Sequence, residues 1–266
     1  MEINITILYN YNVYWKILLD RGEDMSNIKA NRTFTIWRKY GWLLTIIIAF
    51  GGLYEHKLGL IVPFFVMLGL MITSLFNGRF WCGNVCPHGS LYDSVLLRFS
   101  KNEDIPKSLR NKGVIIAIFI LFAIVLGTRV YKVFSNFSGL DLLDKFGFIF
   151  VTTYLVVLLV STPLALFIAP RTWCQFCPMG TIQKLFGKLG QNIGISKNTN
   201  KKLTILDKDK CIKCKKCAKV CPMQLQPYLE FNEQNQFDNE NCIKCNTCVN
   251  NCPKKILTIK SLKGER

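Results

Sequence analysis

RFWCGNVCPHGSL, residues 79–91, follows one long apolar run, and RTWCQFCPMGTI, residues 171–182, follows another. Both read R-x-W-C-x(2–3)-C-P-x-G-[ST]-[LI], and Arg79 and Arg171 stand 92 positions apart, 171 minus 79. A cysteine pair written twice at the end of an apolar segment predicts a duplicated unit. Each copy would be an apolar segment, a turn, a second apolar segment and the cysteine motif. That reading decides the fold class.

Working outward, four apolar stretches stand out, at about 41–54, 58–76, 113–131 and 147–169. The last three are long enough to cross a hydrocarbon core of about 30 Å. The first is short, with Lys39 and Lys57 placed to snorkel from its ends. One helix over 41–76 would reach about 54 Å and strand Glu55, His56 and Lys57 in mid-membrane. A hairpin with those three at its tip costs less. The expected fold class is an α-helical membrane protein, four transmembrane helices arranged as two repeated hairpins. A C-terminal α+β ferredoxin-like domain follows.

Cation counts orient the hairpins. Residues 1–40 hold six Lys and Arg, 77–112 hold six, and the tail from 171 holds 18, against one at 55–57 and three at 129–146. Both termini and the cysteine motifs are therefore expected on the cytoplasmic side of the inner membrane. The formal charge of +17 fits a basic cytoplasmic face better than a nucleic-acid-binding protein. The expected divisions are 1–35, an N-terminal segment with a translation start at Met25; 36–190, the membrane domain; 191–202, a linker; and 203–266, the ferredoxin-like domain.

A short helix is expected after each cysteine motif, capped by Ser90 or Thr181. Leu91, Val95 and Phe99 share a face in the first, and Ile182, Leu185, Phe186 and Leu189 in the second. Such helices either lie on the anionic leaflet, the second through Lys184 and Lys188, or pack as ordinary helices.

The tail carries CIKCKKCAKVCP, 211–222, and CIKCNTCVNNCP, 242–253. Both are C-x2-C-x2-C-x3-C-P, the run whose fourth cysteine ligates the other of two clusters. One [4Fe–4S] cluster is expected on Cys211, Cys214, Cys217 and Cys252. The second is expected on Cys242, Cys245, Cys248 and Cys221. Zinc sites favour paired CxxC motifs, and a reducing cytosol disfavours disulfides.

Cys82, Cys86, Cys174 and Cys177 number four, the ligand count of one more cubane. A third cluster is the reading taken, with free thiols, a zinc site or a thiol redox pair as alternatives. Arg79 and Arg171 either neutralise cluster charge or anchor helices at headgroups. Trp81 and Trp173 fit an interfacial aromatic belt. No catalytic residue is assigned. His88 is the candidate proton acceptor for quinol oxidation, against a reading as a solvated loop histidine. His56 with Glu55, and Asp141 with Asp144, fall in the two outer connections and read as solvated. No phosphate loop, dinucleotide fingerprint or catalytic triad is present, so clusters carry the redox chemistry.

The four stretches, RFWCGNVCPHG, RTWCQFCPMG and the two-cluster tail together resemble the NapH-type membrane ferredoxins, related to NosR-like and CcoG-like proteins. The resemblance covers about residues 36–257. It departs at the second pair, CxxC where the family has CxxxC. It implies a quinol dehydrogenase-type electron-transfer component of an oxidoreductase, between the quinone pool and a redox partner. A reductase subunit would be that partner, while Lys213, Lys215, Lys216 and Lys219 around the first cluster either steer an acidic partner such as a flavodoxin or ferredoxin or form a solvated face next to anionic lipid. A redox maturation factor for a metalloenzyme is the alternative.

Overall fold

The computed structural model describes residues 28–197 and 199–261. The expected start at Met25 lies outside them. Helix α1 runs in three consecutive pieces, Ile36–Tyr40, Trp42–Ile46 and Ile47–Gly51. Helix α2 is His56–Asn77, α5 is Lys112–Asn136 and α6 is Gly139–Phe167. Between them lie α3, Phe80–Asn84, and α4, which starts as Pro87–Leu91 and continues through Tyr92–Leu96 and Leu97–Phe99. After α6 come α7, Trp173–Phe176, and α8, Pro178–Asn192.

Among the described residues, α2, α5 and α6 are the helices long and apolar enough to cross a membrane. Three of the four expected spans are helices of that length, and the first apolar stretch forms a shorter helix. Helix α1 is sixteen residues from Ile36 to Gly51, about 24 Å, short of a core of about 30 Å. The chain does reverse where the hairpin reading put it. Helix α1 begins beside α4, where Arg38 is buried, and ends where Gly52 meets Val151 of α6. A Cβ on Gly59 would lie 2.0 Å from the Gly147 carbonyl oxygen, so α2 and α6 touch backbone to backbone at this end. His56 is not a solvated loop residue. Its Nδ1 lies 3.0 Å from Asp144 Oδ2, and both side chains are half-buried.

The duplication is visible in the helices. In each copy a long helix leads to a short one carrying the first cysteine, and the second cysteine then precedes a proline-started helix. The helix starts correct the capping expectation. Cys86 and Cys177 occupy the N-cap positions, with Pro87 and Pro178 next in the chain. Proline fits there because that N–H has no intrahelical partner. Ser90 instead donates to the Arg38 carbonyl at 2.8 Å and accepts from the Trp42 N–H at 3.0 Å. Helix α8 packs on α2 by its small residues. A Cβ on Gly190 would lie 1.9 Å from the Leu75 carbonyl oxygen. Leu185 and Leu189 are left exposed.

The C-terminal domain is built on a three-stranded antiparallel sheet in the order β2-β1-β3. The strands are β1 Lys202–Ile205, β2 Gln236–Phe237 and β3 Leu257–Lys260. Leu203 pairs with Phe237 on one side and Ile259 on the other. Leu203, Ile205, Phe237, Ile256 and Leu257 form its core, and Cys211, Cys217, Cys242, Cys248 and Cys252 pack against it. The two cysteine runs also repeat in backbone geometry. Lys213 and Lys244, Lys215 and Asn246, and Gln224 and Lys255 are three pairs with positive φ, each 31 positions apart. Left-handed residues turn such loops so that successive N–H groups face inward, the arrangement that receives an anionic group.

Candidate iron–sulfur centre

Cys82 on α3 and Cys174 on α7 are buried, and Cys86 and Cys177 half-buried, at the end of the bundle opposite His56. The helix-end thiols lie in one another's electrostatic field. Burial first, then Cys82 and Cys174, push Cys86 up; burial, then Cys174 and Cys82, push Cys177 up to about 12. Bare thiolates are costly here, and a cationic metal core reverses that cost.

The two arginines cross between the copies. Arg79 Nη2 approaches the sulfur of Cys82 in its own motif at 3.9 Å and donates to the Cys174 carbonyl at 2.9 Å. Arg171 Nη1 approaches Cys174 Sγ at 3.5 Å and donates to the Cys82 carbonyl at 2.9 Å. Each guanidinium lies over the glycine of the other motif. A Cβ on Gly89 would be 2.7 Å from Arg171 Nη1, and one on Gly180 would be 2.8 Å from Arg79 Nη2. The motif glycines make room for the partner copy's arginine. Both arginines are nearly inaccessible, which corrects the headgroup-anchor reading. Trp81 is also buried, packed edge-on against Phe65 and over Gly69, so it is not an interfacial belt residue.

Buried Asp93, on α4, ties this end together. It pairs with Arg171, Arg38 and, at 3.7 Å, Arg32. Burial alone would raise its pKa, but Arg171, Arg38 and Arg32 outweigh that and hold it at about 2. Arg38 Nη1 reaches on to the Cys245 carbonyl at 3.0 Å. Gln183 donates to Cys82 Sγ at 2.9 Å. His88 is buried rather than solvated, a correction. Its ring lies 4.5 Å from that of Tyr154, its Nε2 has no protein partner, and burial lowers its pKa to about 4.

The donors directed at Cys82 and Cys174 fit the sulfur-rich group that four cysteines hold, because N–H donors to sulfur stabilise anionic clusters. Among the described residues no three His, Cys, Asp or Glu side chains converge tightly enough for a single metal ion. All twelve cysteines are free.

In the tail, Cys221 lies in the electrostatic field of Cys245 from the other run. Burial and then Cys245 raise it to about 11, and Cys242, raised to about 12 by burial, also feels Cys221 and Cys245. Cys217 lies in the field of Cys214 and Cys211. Cys252 packs on the same core as Cys211 and Cys217. Cys214 is exposed. The second set docks directly on the helix-end set: a Cβ on Gly83 would lie 1.9 Å from the Ile243 carbonyl oxygen. Cys82, Cys174, Met223, Ile243 and Cys245 share one buried cluster.

Residues 60–106 and 146–196 match the family described as a 4Fe-4S binding domain, which brackets both helix-end pairs. Residues 203–253 match a 4Fe-4S dicluster domain. The chain is an iron–sulfur electron-transfer protein of ferredoxin type. Among curated proteins, an uncharacterized protein of Methanocaldococcus jannaschii is 26% identical over 192 residues, 66% of this chain and 68% of that protein. A second from the same organism is 23% identical over 167 residues, 59% of this chain and 64% of its own length. The methylamine utilization ferredoxin-type protein MauN of Methylobacillus flagellatus is 25% identical over 154 residues, 56% of this chain. The match spans half of MauN, 50% of its length. No solved structure matches the chain.

Sequence reasoning found every cysteine named here and both arginines. It missed Asp93, Arg38, Arg32 and Gln183. The one signal for Asp93 was an acid placed four residues past His88-Gly89 among apolar neighbours on α4.

Proposed function

We propose that the chain is a membrane-embedded, quinol dehydrogenase-type electron-transfer component with its cysteines at the cytoplasmic membrane edge. Three [4Fe–4S] clusters would be held by Cys82, Cys86, Cys174 and Cys177; by Cys242, Cys245, Cys248 and Cys221; and by Cys211, Cys214, Cys217 and Cys252. Such clusters supply one-electron carriage over a wide range of potentials. The observation that carries the reading is the docking of Gly83 on Ile243, reinforced by Arg38 between Asp93 and the Cys245 carbonyl. It orders the ligand sets: helix ends first, the Cys242 set next, the Cys211 set outermost with exposed Cys214. The outermost set bears exposed Lys213 and Lys216, which suit an acidic protein partner such as a flavodoxin or ferredoxin.

The quinol end belongs near His88. A neutral buried imidazole with a free Nε2, packed edge-to-face on Tyr154 of a spanning helix, is placed to take a proton as a quinol is oxidised. The His56–Asp144 pair lies at the far end of the 22-residue α2, about 33 Å away along the helix, too remote to serve the same cysteines.

The test is anaerobic mixing of cluster-loaded protein in proteoliposomes with a short-chain quinol, or of reduced protein with the quinone. Electron exchange seen as a change in cluster absorbance, slowed in His88→Ala, is the expected result. Protein that dithionite reduces but that exchanges no electrons with any quinone or quinol contradicts the proposal.

A further inference from the structure

A cavity of about 320 Å³ lies where α8 meets the dicluster domain. Its size is at the lower end of the range for small-ligand sites. Its walls carry Arg79, Lys184, Lys188, Lys202 and Lys244 against Asp238 and Glu240. Two lysines are paired, Lys188 with Glu240 at 2.9 Å and Lys202 with Asp238 at 2.8 Å. Among the described residues, the other three cations have no carboxylate partner. Lys244 is held by neutral oxygens of Asn77 and Asn200. Arg79 is bound to Cys174 and Cys82, while its Nε and Nη1 have no protein acceptor. Lys184 has neither an ion pair nor a hydrogen bond of its own, and it is half-buried, with burial and then Arg79 lowering it to about 8. A cavity walled by five cations against two carboxylates, three of those cations without a carboxylate in ion-pair contact, is built for an anion.

Helix α8 narrows the chemistry. Gly187 and Gly190 face α2. Lys184, Lys188 and Gln191 line the cavity on the next strip of the helix. Leu185, Leu189 and Ile193 are exposed on the strip beyond. Cations beside an exposed apolar stripe are the pattern of an interfacial helix that meets phosphate-bearing headgroups. We infer that this cavity binds a phosphate-bearing anion through Lys184 and Lys244, either a phospholipid headgroup or a soluble phosphate ester. The inference is independent of the quinol assignment.

The experiment uses full-length, cluster-loaded protein exchanged into a zwitterionic detergent. Native mass spectrometry follows titration with phosphatidylglycerol, with phosphatidylcholine and, in a separate arm, with inorganic pyrophosphate. Lys184→Gln removes a cation that makes no ion pair or hydrogen bond with another described residue. Lys184→Arg restores the charge, and Lys213→Gln is the remote control. A headgroup site predicts phosphatidylglycerol binding that weakens about tenfold in Lys184→Gln, recovers in Lys184→Arg and is unchanged in Lys213→Gln. A soluble-ester site predicts the same variant pattern for pyrophosphate and none for the lipid. Binding that is equal in wild type and Lys184→Gln in both arms overturns the inference. So does no binding at all with a shift only in cluster potentials, since the cations would then serve the clusters. Neither overturning result touches the quinol reaction, which is read by cluster absorbance.

Discussion

Cys82 and Cys174 sit behind two buried arginines and a buried aspartate, whereas Cys214 is exposed among Lys213, Lys215 and Lys216. The helix-end set is assembled from residues about 90 positions apart, each arginine reaching across to the other copy. The Cys211 set takes three of its four cysteines from one local loop turned by the left-handed residues Lys213 and Lys215. Under the proposal both would present cysteines to sulfur-rich clusters, but they manage charge differently. At the helix ends, fixed cations donate to the first cysteines in a place sealed from water. In the outer set, solvent and mobile lysines do that work. Fixed donors set a potential and a geometry, and mobile lysines suit a partner that comes and goes.

The comparison breaks most severely at Asp93. Asp93→Asn removes the one carboxylate shared by Arg32, Arg38 and Arg171. Uncompensated buried cations predict a loss of about 3–5 kcal/mol and depletion of iron from the helix-end set alone. Thermal unfolding and iron content per chain check this. The same residue predicts a pH dependence. Its native pKa of about 2 lies below an unfolded value of about 3.9. Its stabilisation is therefore full above about pH 4 and lost as pH falls towards 2. The stability gap between wild type and Asp93→Asn should shrink over that window and stay constant above it.

Next comes Gly83→Ala. Its Cβ would meet the Ile243 carbonyl, so about 1–3 kcal/mol of strain falls on the contact between the two sets. All iron should remain, while electron exchange between the helix-end and tail clusters slows at least about tenfold. Stopped-flow absorbance with a quinol reads the difference. Full-speed exchange would mean that the contact is not the route.

Arg79→Gln sharpens the contrast more gently. Losing a cation and donor near Cys82 should lower the helix-end potential by on the order of 60 mV, one tenfold change for a one-electron couple. The tail potentials should not move in a redox titration. Smallest is Lys213→Gln with Lys216→Gln. Stability should stay within about 0.5 kcal/mol. Only association with an acidic partner protein should slow, and less so at high salt.

Legibility followed distance along the chain. The tail sets could be proposed from spacing because three of each four cysteines sit in one loop. The helix-end set was readable because the duplication announced which distant pairs correspond. The shorter second pair is absorbed by length, five residues in α3 and four in α7. Asp93 with Arg38 and Arg171 was not readable, since packing joins residues 55 and 78 positions apart. His88 and Trp81 looked like edge residues because they border an apolar run, yet α6 and α2 cover them. The first apolar stretch reads as a span by composition, and its helix, ending at Gly51, is shorter than the other three long helices.

The central claim is that the helix-end cysteines hold a cluster. Iron and acid-labile sulfide per chain, in anaerobically purified and fully loaded protein, test it directly. The account predicts about 12 of each, falling to about 8 when Cys82 and Cys174 are changed to serine. About 8 of each in the wild type, unchanged by that double substitution, would contradict it.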